Sequence, residues 1–171
     1  MIAALLLLAA ADPGIRSSPE LGVAAARCRA EESGPALIVN VTGLKVRKGR
    51  VRAELYPARD GDFLGDDNVL VAAGKTFRRA SVEVPASGPV RLCLRVPGPG
   101  TYSLAVIHNV DGGHKFSLSR DGAGFGGNPK IGLSKPSAQA ASVSVGNGPT
   151  ETNVVMNYRR GLFSFGPVAA N

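Results

Sequence analysis

The sequence predicts an all-β protein, an antiparallel β-sandwich of about seven strands, immunoglobulin-like or prealbumin-like. Three observations predict it. Beyond residue 35, apolar and polar residues alternate with a period of two over several short runs. Turn-forming Gly, Pro and Asn separate those runs every ten or so residues. No stretch there combines helical spacing with a helix's length and freedom from Gly and Pro. A chain patterned this way can hide its apolar faces by stacking two pleated layers.

Residues 36–42 form a compact run with β-branched Ile38 and Val41. Residues 50–56 alternate cleanly, with Val51, Ala53 and Leu55 on one face and Arg50, Arg52, Glu54 and Tyr56 on the other. Lys48-Gly49 supplies the turn between these two strands. Residues 77–84 give a third strand with Ala80, Val82 and Val84 inward, ended by Pro85. Residues 90–96 are the fourth. Residues 101–109 are the fifth, apolar along most of their length as a central strand is. Between them Pro97-Gly98-Pro99-Gly100 sets a tight turn and predicts a hairpin. Tyr102 can then pack its ring while its hydroxyl reaches loop backbone. Residues 138–145 and 152–158 complete the set, divided by Gly146-Asn147-Gly148-Pro149. Segments 60–75 and 110–135 exceed tight turns, and long loops in compact domains are often functional.

The chain has 171 residues, 44% hydrophobic and 19% charged, with 22 Gly and 12 Pro. That length fits one domain. Glycine has no three-residue period, which excludes a collagen-like chain, and the apolar content excludes a disordered one. No apolar run reaches the ~20 residues of a membrane-spanning helix. The first eleven residues carry ten uncharged ones, Ile2 to Ala11, with the length of a signal-peptide core and a small-residue Ala9-Ala10-Ala11 end. The basic flank of such a signal is missing, and a buried apolar N-terminal helix is the competing reading. The expected organisation is a signal peptide over 1–11 and an N-terminal arm over 12–35, with one short helical turn near 21–29. A sandwich domain over 36–160 and a C-terminal tail over 161–171 follow. The expected setting is periplasmic or secreted.

Two cysteines, Cys28 and Cys93, suggest one disulfide in an exported chain, with two free thiols as the alternative. In the fourth strand Val90, Leu92, Leu94 and Val96 share a face, so Cys93 points with Arg91 and Arg95 to the wetter side. A bridge there would pin the arm to the outside of a sheet rather than cross the core.

The formal charge is +7. Lys45, Arg47, Lys48, Arg50 and Arg52 form a basic surface suited to anionic partners, either envelope components or another envelope protein. Export removes nucleic acid as a partner. A basic edge also guards a sheet against edge-to-edge pairing.

Gly122-Ala123-Gly124-Phe125-Gly126-Gly127 spells G-x-G-x-x-G, but Ser119-Arg120-Asp121 precedes it and Asn128-Pro129 follows, where phosphate binding needs a strand and a helix. Its glycines instead fit a loop folded closely over the sandwich. His108, Asp111 and His114 are spaced three apart, which suits a helix better than a strand end, and no cysteine or second carboxylate adjoins them. Asn109 and Asp111 are weak metal candidates, too few for a Ca²⁺ loop. No nucleophile elbow or carboxylate pair stands out, and Asp60, Asp62, Asp66 and Asp67 fit turn chemistry. Asn40-Val41-Thr42 spells a glycosylation sequon inside an expected strand.

Three segments, taken in order, resemble a bacterial exported family known as domain of unknown function 2141. They are Val41-Thr42-Gly43-Leu44, then Gly49 through Tyr56, then Pro97-Gly98-Pro99-Gly100-Thr101-Tyr102 running on to His108-Asn109. The resemblance covers roughly residues 36–158 and ends on Val154-Val155-Met156-Asn157-Tyr158. In that family the strand runs into a His-Asp-x-Asn-x-Asn-Gly-x-Leu-Asp loop and then a Gly-Phe-Ser-Asn-like segment. Here His108 matches, while Asn109, Asp111 and Ser117 replace the usual Asp, Asn and Asp; Gly124 to Asn128 resembles the second segment. The resemblance implies fold and compartment more than activity.

The expected function is a non-catalytic binding or interaction module of the cell envelope, monomeric and without a cofactor. Its candidate ligand-binding residues are His108, Asn109, Asp111, His114, Phe125 and Asn128, beside the basic surface. Two alternatives stand: a hydrolase or metal-dependent enzyme using His108, Asp111 and His114, and a structural accessory of an envelope assembly.

Overall fold

The computed structural model describes residues 14–132, 134–162 and 164–168; the run expected to be a signal peptide lies outside the described residues. In chain order the elements are α1 (Val23–Ala26), β1 (Ala36–Thr42), β2 (Arg50–Pro57), α2 (Asp67–Ala72), β3 (Arg78–Glu83), β4 (Val90–Arg95) and β5 (Gly100–Asn109). Then come β6 (Gly122–Phe125), β7 (Ser142–Val145), β8 (Pro149–Val155), β9 (Asn157–Arg159) and β10 (Phe165–Pro167). They form a sandwich of two sheets. The smaller has the order β4-β1-β8. The larger has the order β10-β9-β6-β5-β2-β3, with β7 pairing the first residues of β5 ahead of β6.

All pairs are antiparallel except β1 with β8. The expected hairpins are corrected. The turn at Lys48-Gly49 leads from β1 in the small sheet to β2 in the large one, and Pro97 to Gly100 likewise joins β4 to β5 across the sandwich. Both turns exist, but they join layers. Gly49 shows why the first one needs glycine: its φ is +79°, and a Cβ would stand 2.2 Å from the Asn109 carbonyl oxygen. Tyr102 packs in the core and donates its hydroxyl to the Gly98 carbonyl at 2.7 Å.

The inner core lies between the sheets, around Leu37, Val39, Leu55, Leu94, Leu104, Val106, Val154 and Met156. A second apolar cluster sits on the outer face of the large sheet, where Tyr56, Ala105 and Phe125 meet Phe63, Leu70, Phe77, Ala138 and Ala141. Glu54 and Tyr56 take the face of β2 opposite Val51, Ala53 and Leu55, as alternation predicts. Both are buried, because segments 60–75 and 126–141 fold back over β2. Residues 67–72 form a helix where none was expected; six residues anchored by Leu70 are too short to display a helical repeat. The last expected strand divides into β8 and β9, β6 arises within segment 110–135, and β10 within the segment read as a tail.

The arm straps one side of the sandwich. Arg79 N–H donates to the Gly22 carbonyl at 3.3 Å, Ala26 is buried, and Cys28 is bonded to Cys93 with a Cα–Cα separation of 6.0 Å. Among the described residues, no helix is long and apolar enough to cross a membrane.

Candidate functional site

Segment 110–135 is organised by a residue that the sequence did not single out. Asp121 is fully buried and accepts three hydrogen bonds: from Val110 N–H at 3.0 Å, Ser117 N–H at 2.8 Å and the Asn109 amide at 3.2 Å. Burial works against its charge. The bonds from Val110, Ser117 and Asn109, with Arg120 nearby, outweigh burial and hold the carboxyl below its usual range. One ionised side chain thereby fixes both ends of the turn following β5. In sequence it reads only as Arg-Asp-Gly, an ordinary turn.

The sequence candidates separate around this anchor. His108 is on the inner side of β5, without solvent exposure; Nδ1 lies 2.6 Å from the Tyr158 hydroxyl and Nε2 lies 2.7 Å from the Lys48 carbonyl. A carbonyl only accepts, so Nε2 donates to it, and Nδ1 shares a second hydrogen bond with the Tyr158 hydroxyl. Asp111 is exposed, bonded to Gly113 N–H at 2.9 Å and paired with Arg120 at 2.6 Å. His114 is exposed on the outer face of the large sheet, where its carbonyl accepts from Arg52 at 3.3 Å. The three do not converge. Asn109 is buried, with its amide nitrogen also reaching the Lys115 carbonyl at 3.3 Å and its Oδ1 without a partner. Among the described residues, no three His, Cys, Asp or Glu side chains gather in a group that could hold a metal ion.

Phe125 packs edge-on to Phe63 with ring centroids 6.0 Å apart. Asn128 sits at φ +49° and fastens the edge of β8, donating to the Asn153 carbonyl and accepting from Val155 N–H, both at 2.8 Å. Its side chain mimics a strand's backbone there. The G-x-G glycines face inward: a Cβ on Gly122 would stand 2.5 Å from the Tyr158 ring, and one on Gly124 2.5 Å from Val154.

The basic surface is divided in its duties. Arg47 donates to the Pro85 and Gly88 carbonyls, at 3.1 and 2.6 Å. Arg50 pairs with Glu83, and Lys45 and Lys48 are exposed. Arg52 lies in a buried charge network that the sequence did not disclose. Glu54 receives the Tyr56 hydroxyl at 2.7 Å and Arg79 Nε at 2.8 Å, and stands 3.0 Å from Arg52 Nε. Arg79 also bonds Asp67 at 3.0 Å and the Ser18 carbonyl of the arm at 2.7 Å. Burial first, then the Glu54 charge and hydrogen bond, pushes the Tyr56 hydroxyl far above its ordinary range, so it stays a neutral donor.

Strand register sorts the outer face into polar and apolar halves. Arg52 pairs opposite Ser81 of β3 and Ile107 of β5, and Ile107 opposite Ala123 of β6. In the next outward-facing row, Glu54 pairs opposite Arg79 and Ala105, and Ala105 opposite Phe125. Over β2 and β3 lies a polar cleft of two adjoining cavities, about 150 and 240 Å³, that share Pro19, Arg52 and His114. Over β5 and β6 lies an apolar trough of two adjoining cavities, about 210 and 230 Å³, that share Phe116, Ala123 and Phe125. Leu64, Phe116 and Leu118 remain exposed. The structure thus brings together Arg50, Arg52 and His114 in the cleft and Phe125 in the trough. It leaves His108 and Asn109 sealed, and Asn128 bonded to the edge of β8.

No curated protein and no solved structure matched the chain. A family model described as "Uncharacterized protein conserved in bacteria (DUF2141)" matches residues 39–153, more than half of the chain, from within β1 to within β8. That match bears out the resemblance carried by the strand motifs, and the chain belongs to this bacterial family.

Proposed function

We propose that the chain is a non-catalytic binding module, exported to an oxidising compartment, and that it binds through the apolar trough on the outer face of its large sheet. The observation that carries this reading is the trough itself: Phe116 and Phe125 wall it, Ile107 and Ala123 floor it, and Leu64 stands exposed at its side. Apolar concavities with a few polar groups nearby are where small ligands bind. The loop beside the trough is held from below by Asp121, so the surface is pre-formed and a ligand need not order it.

The alternative reading as a hydrolase gains no support from His108, whose two ring nitrogens are both occupied inside the core. A disulfide closing 65 residues supports a periplasmic or secreted setting, since reducing compartments keep thiols unpaired.

The test is titration of the full chain with a neutral fluorescent probe, N-phenyl-1-naphthylamine. Saturable enhancement is expected, weakened by Phe116→Ser and left unchanged by Lys45→Gln, a residue that does not line the trough. Non-saturating fluorescence, or indifference to Phe116→Ser, would overturn the reading.

A further inference from the structure

Arg52 and Ile107 are direct partners across the β2–β5 ladder and share the outer face. Directly opposed side chains in a sheet have Cβ atoms about 5 Å apart. Arg52 lines the polar cleft and Ile107 lines the apolar trough. The cleft and the trough therefore lie side by side on one face, over neighbouring strands, with His114 and Phe116 of one segment lining the two.

The cleft offers an anion one guanidinium, that of Arg52. Arg50, Arg52 and His114 line it, with Arg79 at its base. The acidic groups about it are Glu20, on the rim, Asp67, which Arg79 already pairs at 3.0 Å, and Glu83, which pairs Arg50. Glu54 beneath is bound by Arg79 and the Tyr56 hydroxyl. Arg52 keeps donor capacity: its Nε stands 3.0 Å from Glu54 but is not aligned for a hydrogen bond, and one terminal nitrogen reaches the His114 carbonyl at a long 3.3 Å. A guanidinium held in this way suits a carboxylate.

We propose that the ligand of this surface is a single-chain anionic amphiphile, a free long-chain carboxylate. Its head lies against Arg52 beside His114, and its alkyl chain runs over Ile107 into the trough between Phe116 and Phe125. This assignment rests on the trough being the binding surface, and it adds the head-group site and the chain's direction. The spare donors of Arg52 at one end and the apolar lining at the other select this occupant over a neutral lipid or an apolar peptide.

The experiment is calorimetric titration of the full, disulfide-bonded chain with dodecanoate below its micellar range. Dodecanol and butyrate are the controls for chain alone and head alone. One dodecanoate per chain is expected. Dodecanol should bind about tenfold more weakly, as should dodecanoate to Arg52→Gln, that factor corresponding to one charge-assisted contact. Butyrate should give no saturable heat. Phe116→Ser should weaken acid and alcohol alike, and added salt should weaken only the acid. His114→Ala, at an exposed position outside the buried network, tests the head site if Arg52→Gln lowers the melting temperature. Equal binding of acid and alcohol, unaffected by either head-site substitution, overturns the head-group assignment while leaving the trough as a binding surface. Failure of every amphiphile and of the neutral probe overturns both. Self-association that disappears in Phe116→Ser would assign the face to a second copy of the chain and likewise overturn the proposal.

Discussion

The Tyr158 hydroxyl lies 2.6 Å from Nδ1 of His108, inside the sandwich. The residue that a reader of the sequence would first suspect of chemistry is thus a fastener between β5 and β9. It also reaches the Lys48 carbonyl, tying the turn that leads into β2. Removing the hydroxyl in Tyr158→Phe leaves a buried ring nitrogen unsatisfied, which costs about 1–3 kcal/mol. Urea unfolding should show that loss, while probe binding at the distant outer face stays unchanged. A neutral effect on stability would mean that the pair is not closed in solution.

The same hydroxyl predicts an alkaline limit. Burial, first, and the Asp121 charge push Tyr158 up to about 12, against the opposing pull of a Lys45 backbone hydrogen bond. A tyrosine raised in the folded state binds its proton more tightly there than when unfolded. Its stabilisation is complete below the ordinary value near 10 and is lost as pH rises from about 10 to 12. Denaturation midpoints should fall across that window in the wild type and fall less in Tyr158→Phe. Parallel curves for the two proteins would refute the assignment.

Asp121 sets the acid limit by the opposite sign. Its carboxyl is held below the usual range, so its contribution is present above the unfolded value near 4 and fades as pH falls through the folded value. Asp121→Ala should free the Val110 and Ser117 amides, costing roughly 1–3 kcal/mol. Hydrogen exchange is the direct readout: these two amides should lose protection ahead of the β1 ladder. If they remain as slow as β1 amides in the variant, the anchor role is wrong.

Much of the architecture was legible because its signals are local. The inner face of β2, Val51, Ala53 and Leu55, is as buried as alternation demands, and β5 is central as its apolar run implies. What escaped was whatever depends on a third layer. Alternation tells which side Glu54 and Tyr56 take, but not that Phe63, Leu70 and Ala138 will cover that side. Turn residues announce a reversal without saying whether the chain returns to the same sheet, so Lys48-Gly49 looked like a hairpin. Strand β6 is half glycine, chosen for closeness to Tyr158 and Val154, and so carries no β-propensity signal. The site followed the same rule. Arg50 and Arg52 were visible as charge, whereas their meeting with His114 depends on a fold of segment 110–135 that Asp121 imposes.

The buried network around Glu54 carries a larger prediction. Glu54→Ala would leave Arg79 Nε and the Tyr56 hydroxyl unpaired in a site where both are shielded from water. Breaking a buried ion pair from one side costs about 3–5 kcal/mol. Replacing Arg79 instead should be comparably severe, because Glu54 and Asp67 each lose an ion pair to it. The double replacement should cost less than the sum of the two, since each single variant already breaks the shared contact. Chemical denaturation of the four proteins measures that coupling, and additive losses would show the charges to be independent.

The Cys28–Cys93 bridge closes a loop of 65 residues around the first four strands. By the chain-entropy relation such a closure is worth about 4 kcal/mol, acting on the unfolded state. Its structural effect is more specific. The arm supplies the Ser18 carbonyl to Arg79 and the Gly22 carbonyl to the Arg79 amide, and it walls the polar cleft through Pro19 and Glu20. The arm's other holds are α1, four residues without a side-chain cap, which cannot stay ordered alone, and Arg95, which donates to the Ser33 and Glu32 carbonyls at 2.9 and 2.6 Å. Cys28→Ser should therefore lower stability by roughly 2–5 kcal/mol and make the arm the first site of proteolytic cleavage, while the sandwich keeps its β circular dichroism. Dithiothreitol should reproduce both effects in the wild type and add nothing in the variant. An arm that resists protease after reduction would show that packing against β3, rather than the bridge, holds the strap closed.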